Sequence, residues 1–324
     1  MEIIEEYRRK LSQELDRLDY GSHPAELYDP IRYLMSLGGK RMRPLLVLLA
    51  YGLKKDDVAD ILVPALATEV FHNFTLMHDD IMDNAPIRRG KPTVHEKWNA
   101  NIAILSGDTM MVKAYDMLLH VDTRLLLEVL RKFNRCAVDV CEGQQLDMNF
   151  ESIESVSEKE YLEMIRLKTA VLLGFSLELG GILAGFDEEA TDLIREFGIN
   201  IGIGFQLKDD LLDVYGDKDK FGKQVGGDIV SNKKTYLLIN ALKEAKGEQQ
   251  EKLQDWLTRE KFENDEKVAA VTAIYEELGI REMTRSQINR YFDKGFAALE
   301  KLNISKERKK PLVDFTNYLI NREK

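Results

Sequence analysis

Cysteine is nearly missing from this chain: Cys136 and Cys141 are the only two in 324 residues. Two thiols five residues apart on one helical pattern make no disulfide framework and suit a reducing compartment. Both are expected as small buried hydrophobes. Proline is sparse at seven and glycine numbers 21, which excludes collagen-like and low-complexity chains. Positive charge is the scarcer sign, 46 lysines and arginines against 56 aspartates and glutamates, for a net charge of −10. Duplex binders show a basic field, so nucleic acid is not expected as a partner. No run of eighteen apolar residues is found, and no membrane span is expected. The opening MEIIEEYRRK is charged where a signal peptide would be apolar. These features describe an acidic, soluble protein of the cytoplasm.

Strand signals are absent too: no clear alternation of apolar and polar residues, and no Asn-Gly pair between apolar runs. Helical periodicity takes their place. Leu125, Leu126, Val129, Leu130, Phe133, Ala137 and Val140 recur at three and four. The same spacing predicts helices over 2–18, 29–51, 57–83, 101–119, 159–184, 188–215, 232–246, 249–258, 267–280, 283–302 and 308–322. Pro24, Pro30, Gly38-Gly39 and Gly185 punctuate them. No Pro/Ser/Gly-rich linker divides the chain, and no repeat of solenoid length occurs. The expectation is an all-α fold in one domain, residues 1–324.

Two aspartate clusters recur. His78-Asp79-Asp80-Ile81-Met82-Asp83 closes the apolar run from Ile61, and Asp209-Asp210-Leu211-Leu212-Asp213 closes the run from Phe197. On a helix, Asp79 and Asp83 share a face, as do Asp209 and Asp213, and like charges so placed cost about 0.2–0.5 kcal/mol per pair in water. One such cluster could be a solvated helix end. Two copies, each ending a long apolar helix, call for a cation, and carboxylates without His or Cys select Mg²⁺ or Mn²⁺ over zinc. Cations follow: Lys40, Arg41 and Arg43 in GGKRMRP, Arg88-Arg89-Gly90-Lys91, Lys168-Thr169, Lys220, Lys223 and Lys233-Lys234. Arginine forks grip phosphate oxygens bidentately and lysine acts as a point charge, so the set suits two polyanions.

The ordered set GGKRMRP, His72, DDIMD with RRG, GQQLD, KT, FQLKDDLLD and GKQVGGDIVSNKK closely resembles the trans-isoprenyl diphosphate synthases, the polyprenyl synthetases. Within them it resembles the geranylgeranyl and farnesyl diphosphate synthases. The resemblance covers residues 30–240. It implies a single large helical bundle around a deep central apolar cavity, the isoprenoid synthase type I fold, acting as a homodimer. It also implies Mg²⁺-assisted, head-to-tail condensation of isopentenyl diphosphate with dimethylallyl, geranyl or farnesyl diphosphate. By this resemblance, Asp79, Asp80, Asp83, Asp209, Asp210 and Asp213 bind metal. Arg88, Lys168, Lys223 and Lys233 hold the allylic diphosphate, and Lys40, Arg43, His72 and Arg89 hold isopentenyl diphosphate. Thr169 and Gln206 offer oxygen dipoles to the allylic cation, and the released diphosphate takes the proton. Gln145 and Asp147 are expected to line or brace the cavity, Asp228 to orient the lysines, and the Asp217–Asn232 loop to cover the diphosphates. A lone histidine on an apolar helix can also be plain core, which leaves His72 with two readings.

Chain length is read by counting back from Asp79. Thr75 and Phe71 lie four and eight residues earlier on one stripe, about 6 and 12 Å below the metal shelf at helical rise. A small residue above an aromatic passes a tail and then stops it. Phe71, Phe74 and Thr75 are therefore candidates for a floor suited to the twenty-carbon product, with farnesyl diphosphate as the alternative. The alternative for Phe71 and Phe74 is ordinary core packing. A class I terpene cyclase would not need GGKRMRP, and a non-catalytic synthase subunit typically loses metal aspartates; this chain keeps all six.

Overall fold

Periodicity becomes helix along most of the chain because each apolar stripe finds a partner to bury against. A computed structural model describes residues 2–216 and 226–321. It is 78% helical. By density of contacts the chain divides into two compact units.

The first unit comprises Met1–Asn134, Phe175–Asp192 and Ile304–Phe315. Its spine is α4, Leu62–Met82, which packs along α6, Ala100–Leu118; α3, Met42–Tyr51, lies against α4, and α2, Ala25–Ser36, against α6. Asn99 caps α6, its Oδ1 accepting the Ile102 N–H at 2.9 Å. Buried Leu45, Val47, Leu48, Leu66, Val70, Phe71, Met110, Ala114 and Phe133 form the core. The chain at Gly180 runs so close to α3 that a Cβ would sit 2.2 Å from the Val47 carbonyl oxygen, which leaves room only for glycine.

The second unit comprises Arg135–Gly174, Leu193–Asn303 and Thr316–Lys324. It holds most of α7 (Thr123–Ser152), α8 (Glu158–Ile165) and most of α10 (Glu188–Tyr215). Between α8 and α9 (Val171–Ala184), residues Arg166–Ala170 form a π-helical turn. A capping box starts α8: Ser157 Oγ accepts the Glu160 N–H at 3.2 Å, and Glu160 Oε2 accepts the Ser157 N–H at 2.8 Å. Later come α11 (Gly227–Val230), α12 (Tyr236–Glu244), α13 (Glu248–Thr258), α14 (Asn264–Glu277) and α15 (Ile280–Lys301). Residues 217–225, which include Lys220, Lys223 and much of the expected covering loop, lie outside the described residues.

The structure departs from the sequence expectations in four places, the first being that Cys136 is buried as expected but Cys141, further along the same helix, is exposed. The helix expected over 29–51 is two helices, because Gly38 (φ 79°), Gly39 (φ 139°) and Arg41 (φ 46°) turn left-handed between them. A two-stranded hairpin, Ile87–Arg88 with Lys91–Pro92, forms where no strand was expected. Its tip is Arg89-Gly90, both at positive φ, the backbone that a tight hairpin favours, with arginine in place of the usual asparagine. Finally, residues Glu158–Ala184 are long and apolar enough to cross a membrane by length and composition. That stretch is core: 83% of its most apolar window is buried inside the protein.

Candidate active site

In the first unit, four arginines gather around one neutral histidine. His72 projects from α4, and burial followed by the charges of Arg43, Arg89, Arg88 and Arg41 drives its pKa well below the usual imidazole value. The imidazole is therefore neutral at pH 7, a donor and acceptor among cations. Each guanidinium whose contacts are defined is tied down. Arg41 donates to Glu69 Oε1 at 2.8 Å and to the Met35 carbonyl at 2.6 Å. Glu69 is buried, and Asn73 Nδ2 donates to its Oε1 at 3.1 Å. Arg89 donates to the Gly38 carbonyl, and a Cβ on Gly39 would lie 2.9 Å from its Nη2. Burial and the neighbouring Arg41 and Arg88 lower the pKa of Arg89, a field that an arriving phosphate would relieve. Arg41 and Arg89 both hold left-handed backbone that non-glycine residues avoid, and strain of this kind collects at functional sites. Lys40 is exposed on the same turn.

Beside this pocket, α4 ends in the first aspartate cluster. Its three carboxylates are not equivalent. Asp79 is part-exposed and Asp83 exposed, whereas Asp80, rotated one residue round the helix, is buried. Arg88 Nε and Nη2 grip Asp80 Oδ2 and Oδ1, both at 2.7 Å. This fork ties the hairpin carrying Arg88 and Arg89 to the end of α4.

The second unit repeats the pattern. Asp209 and Asp213 are part-exposed and Asp210 is buried. Tyr161 Oη donates to Asp210 Oδ2, and Gln206 Nε2 donates to Asp210 Oδ1 at 3.1 Å. Burial, with Asp228 as the next cause, pushes Asp210 up to about 7 against the pull of Tyr161 and Lys233. Thr169 Oγ1 reaches Gln206 Oε1 at 3.3 Å, which places the two expected dipoles together. Lys168 Nζ donates to Asp147 Oδ2 at 2.6 Å. The π-helical turn lies tight against α7: a Cβ on Gly143 would be 2.2 Å from the Lys168 amide nitrogen. Asp213 Oδ2 accepts the Asp228 N–H at 2.9 Å. Gln145 turns instead to Asn149 on its own helix, at 2.9 Å.

Among the described residues, no three carboxylate, imidazole or thiolate groups converge to cage a metal alone. Each cluster offers an accessible pair one helical turn apart. Mg²⁺ takes one or two carboxylates and completes its shell with water and phosphate, so the pairs fit that ion.

The three floor candidates differ in setting. Phe71 is fully buried, edge-on to Phe133 at 5.1 Å, and Phe133 meets Tyr115 at 4.9 Å and Phe175 at 5.6 Å. Phe74 is half-buried, 5.6 Å from Phe71 and 4.8 Å from His78. Thr75 Oγ1 donates to the His72 carbonyl at 2.8 Å. Sequence reasoning missed Glu69, Asn73 and Tyr161 as parts of the site. Glu69 did leave a signal: a single acid inside an apolar helical run needs a buried partner.

Comparison with known proteins agrees across the whole chain. The family model described as Polyprenyl synthetase matches residues 24–276. A geranylgeranyl diphosphate synthase of Methanosarcina mazei is 37% identical over 328 aligned residues, covering 100% of this chain and 99% of that one. A short chain isoprenyl diphosphate synthase of Methanocaldococcus jannaschii is 42% identical over 259 residues, 80% of this chain and 78% of its own. Among solved structures, a geranylgeranyl pyrophosphate synthase superposes with a TM-score of 0.94 at 43% identity, covering 99% of both chains.

Proposed function

Because the chain belongs to the polyprenyl synthetase family, we propose that it condenses isopentenyl diphosphate with allylic diphosphates to give geranylgeranyl diphosphate. One observation carries the site assignment: Arg88 forks onto Asp80 and Arg89 reaches the Gly38 carbonyl of the GGKRMRP turn, which brings these cations beside the accessible Asp79 and Asp83 pair. That is a polyanion pocket next to a magnesium shelf.

Arg43, Arg89 and His72 hold isopentenyl diphosphate, with Lys40 at the rim. Arg41 stays on Glu69 and keeps the turn in shape. Lys168, Lys233 and Arg88 hold the allylic diphosphate, and Lys223 is assigned there by the family motif alone. Asp79 and Asp83, and Asp209 and Asp213, would hold Mg²⁺, which would supply charge neutralisation to the departing diphosphate, while Asp80 and Asp210 are buried. The allylic C–O bond breaks, and Thr169 Oγ1, Gln206 Oε1 and the nearby backbone carbonyl face the resulting cation with oxygen dipoles. The new C–C bond forms to isopentenyl diphosphate, and the proton it releases goes to the free diphosphate. The growing tail runs down α4 past Thr75 towards Phe74 and Phe71.

The whole chain acts as one catalytic domain, since the family match takes in segments of both units. Homodimerisation is supported by exposed Leu105 and Val112, seven residues apart on α6, and by exposed Leu119 at its C-terminal end. Soluble, cytoplasmic action fits the net charge of −10 and the diphosphate substrates.

The test is incubation of the protein with Mg²⁺, isopentenyl diphosphate and each allylic starter, with dephosphorylated products sized by mass spectrometry. A twenty-carbon alcohol, lost with EDTA and in Asp79→Ala and Asp209→Ala, is expected. A cyclic hydrocarbon, or full activity in either variant, would sink this reading; a fifteen-carbon alcohol would change the product alone.

A further inference from the structure

Outside the groups assigned above, one buried charge stands apart. Lys267 on α14 is fully buried, with 0% of its surface exposed. Its Nζ donates to the Asn232 Oδ1 at 2.6 Å and to the Val230 carbonyl at 3.2 Å, and lies 4.2 Å from the centre of the Phe262 ring. Both hydrogen bonds go to neutral oxygens. Burying an ammonium costs free energy that a methionine of similar length would avoid, so the charge is explained only by what it holds.

It holds a turn. Val230 ends the four-residue α11, where carbonyls point outward without helical partners. Asn232 sits two residues on at φ 54°, a strained position, and its Nδ2 donates onward to the Leu257 carbonyl at 2.9 Å. The Asn232 side chain is thus gripped from two helices at once. The next residue is Lys233, whose N–H returns to the Asp228 carbonyl at 2.9 Å and whose charge acts on Asp210. At the front of the turn, Gly226 N–H donates to the Asp213 carbonyl at 2.6 Å and Asp228 N–H to Asp213 Oδ2 at 2.9 Å. A continuous set of contacts therefore leads from Lys267 through residues 226–233 to Lys233 and Asp213.

We infer that Lys267 is a positioning residue for the allylic-diphosphate half of the site: its buried ammonium fixes the 226–233 turn so that Lys233 and Asp213 keep their places. The inference rests on the reading given under Proposed function. It assigns Lys267 no contact with the isopentenyl half.

The test measures KM for the allylic starter, KM for isopentenyl diphosphate, the Mg²⁺ concentration for half-maximal rate, and Tm, in the full chain. Lys267→Met is expected to raise the allylic KM and the Mg²⁺ requirement about tenfold, with the isopentenyl KM within about twofold of wild type. Lys267→Arg, which can donate to the same oxygens, should recover part of the loss. Asn232→Gly keeps the left-handed backbone and removes the acceptor. It should reproduce the Lys267→Met pattern, and it decides the matter if Lys267→Met does not fold. The double variant should then be no worse than either single change. A fall in Tm with both KM values unmoved, or both rising together, would overturn the inference. Absence of condensation by the wild-type protein would strike the underlying reading instead, before any variant is made.

Discussion

Gly143 offers a sharp test of how the second unit is built. It lies on α7 in the GQQLD segment, and a Cβ there would stand 2.2 Å from the Lys168 nitrogen, 2.6 Å from the Lys168 Cα and 2.7 Å from the Leu167 carbonyl carbon. Ordinary contact begins near 3.4 Å, so Gly143→Ala demands a displacement of about 1.2 Å. Every atom it meets is backbone, and no flexible side chain can swing away. Alanine would gain about 1 kcal/mol in helix propensity. Overpacking of this sort costs about 1–3 kcal/mol, so the net effect is destabilising. The larger consequence is local. The π-helical turn would be pushed off α7, carrying Lys168 from Asp147 and Thr169 from Gln206. Misplacing catalytic groups by about 1 Å can lower turnover about 100-fold. Steady-state kinetics with the allylic starter varied, beside Tm, would show kcat falling well beyond what the loss of stability explains. Wild-type kcat and Tm in Gly143→Ala would refute this packing argument.

Glu69→Gln leaves the part-buried Arg41 guanidinium without its carboxylate. Breaking a fully buried pair costs about 3–5 kcal/mol, and this one should cost less because Arg41 keeps some contact with water. Denaturant melts should show the loss, and the isopentenyl KM should rise more than the allylic KM. His72 should titrate well below the usual imidazole range by NMR and move upward when pyrophosphate binds, because the anion offsets the arginine field. The sign for stability follows: the unfolded chain protonates His72 near its ordinary value and the folded protein does not, so this group's contribution is present above about 6.5 and lost as pH falls below it. A flat Tm difference between wild type and His72→Gln across that range would contradict it. Phe74→Ala should lengthen the product with modest loss of stability, whereas Phe71→Ala should cost about 3–5 kcal/mol because its ring is fully enclosed. Product sizing and melts on the same two proteins separate a floor from a core.

Much of this was legible in the residue order because helical geometry is local. A period of 3.6 places Asp79 with Asp83, and Asp209 with Asp213, on shared faces whatever surrounds them. The glycine pair at 38–39 announced a break, although the periodicity of 29–51 ran straight over it. Side-chain chemistry alone suggested hard cations and phosphate. The family resemblance added roles that no spacing supplies.

What stayed hidden depends on partners far apart in sequence. Nothing local says that Asp80 turns inward to Arg88, that Asp210 meets Tyr161, or that Glu69 reaches back 28 residues to Arg41. The Arg89-Gly90 hairpin is also a tertiary product, since its strained arginine is held by the distant Gly38 carbonyl. Sequence by itself determined the all-α class, the two aspartate pairs and the inventory of cations, because these follow from helical pitch and side-chain charge. Only the tertiary structure decided which carboxylate of each cluster stays accessible and which distant groups hold Arg41, Arg88 and Arg89, because burial and long-range pairing exist only once the helices have packed.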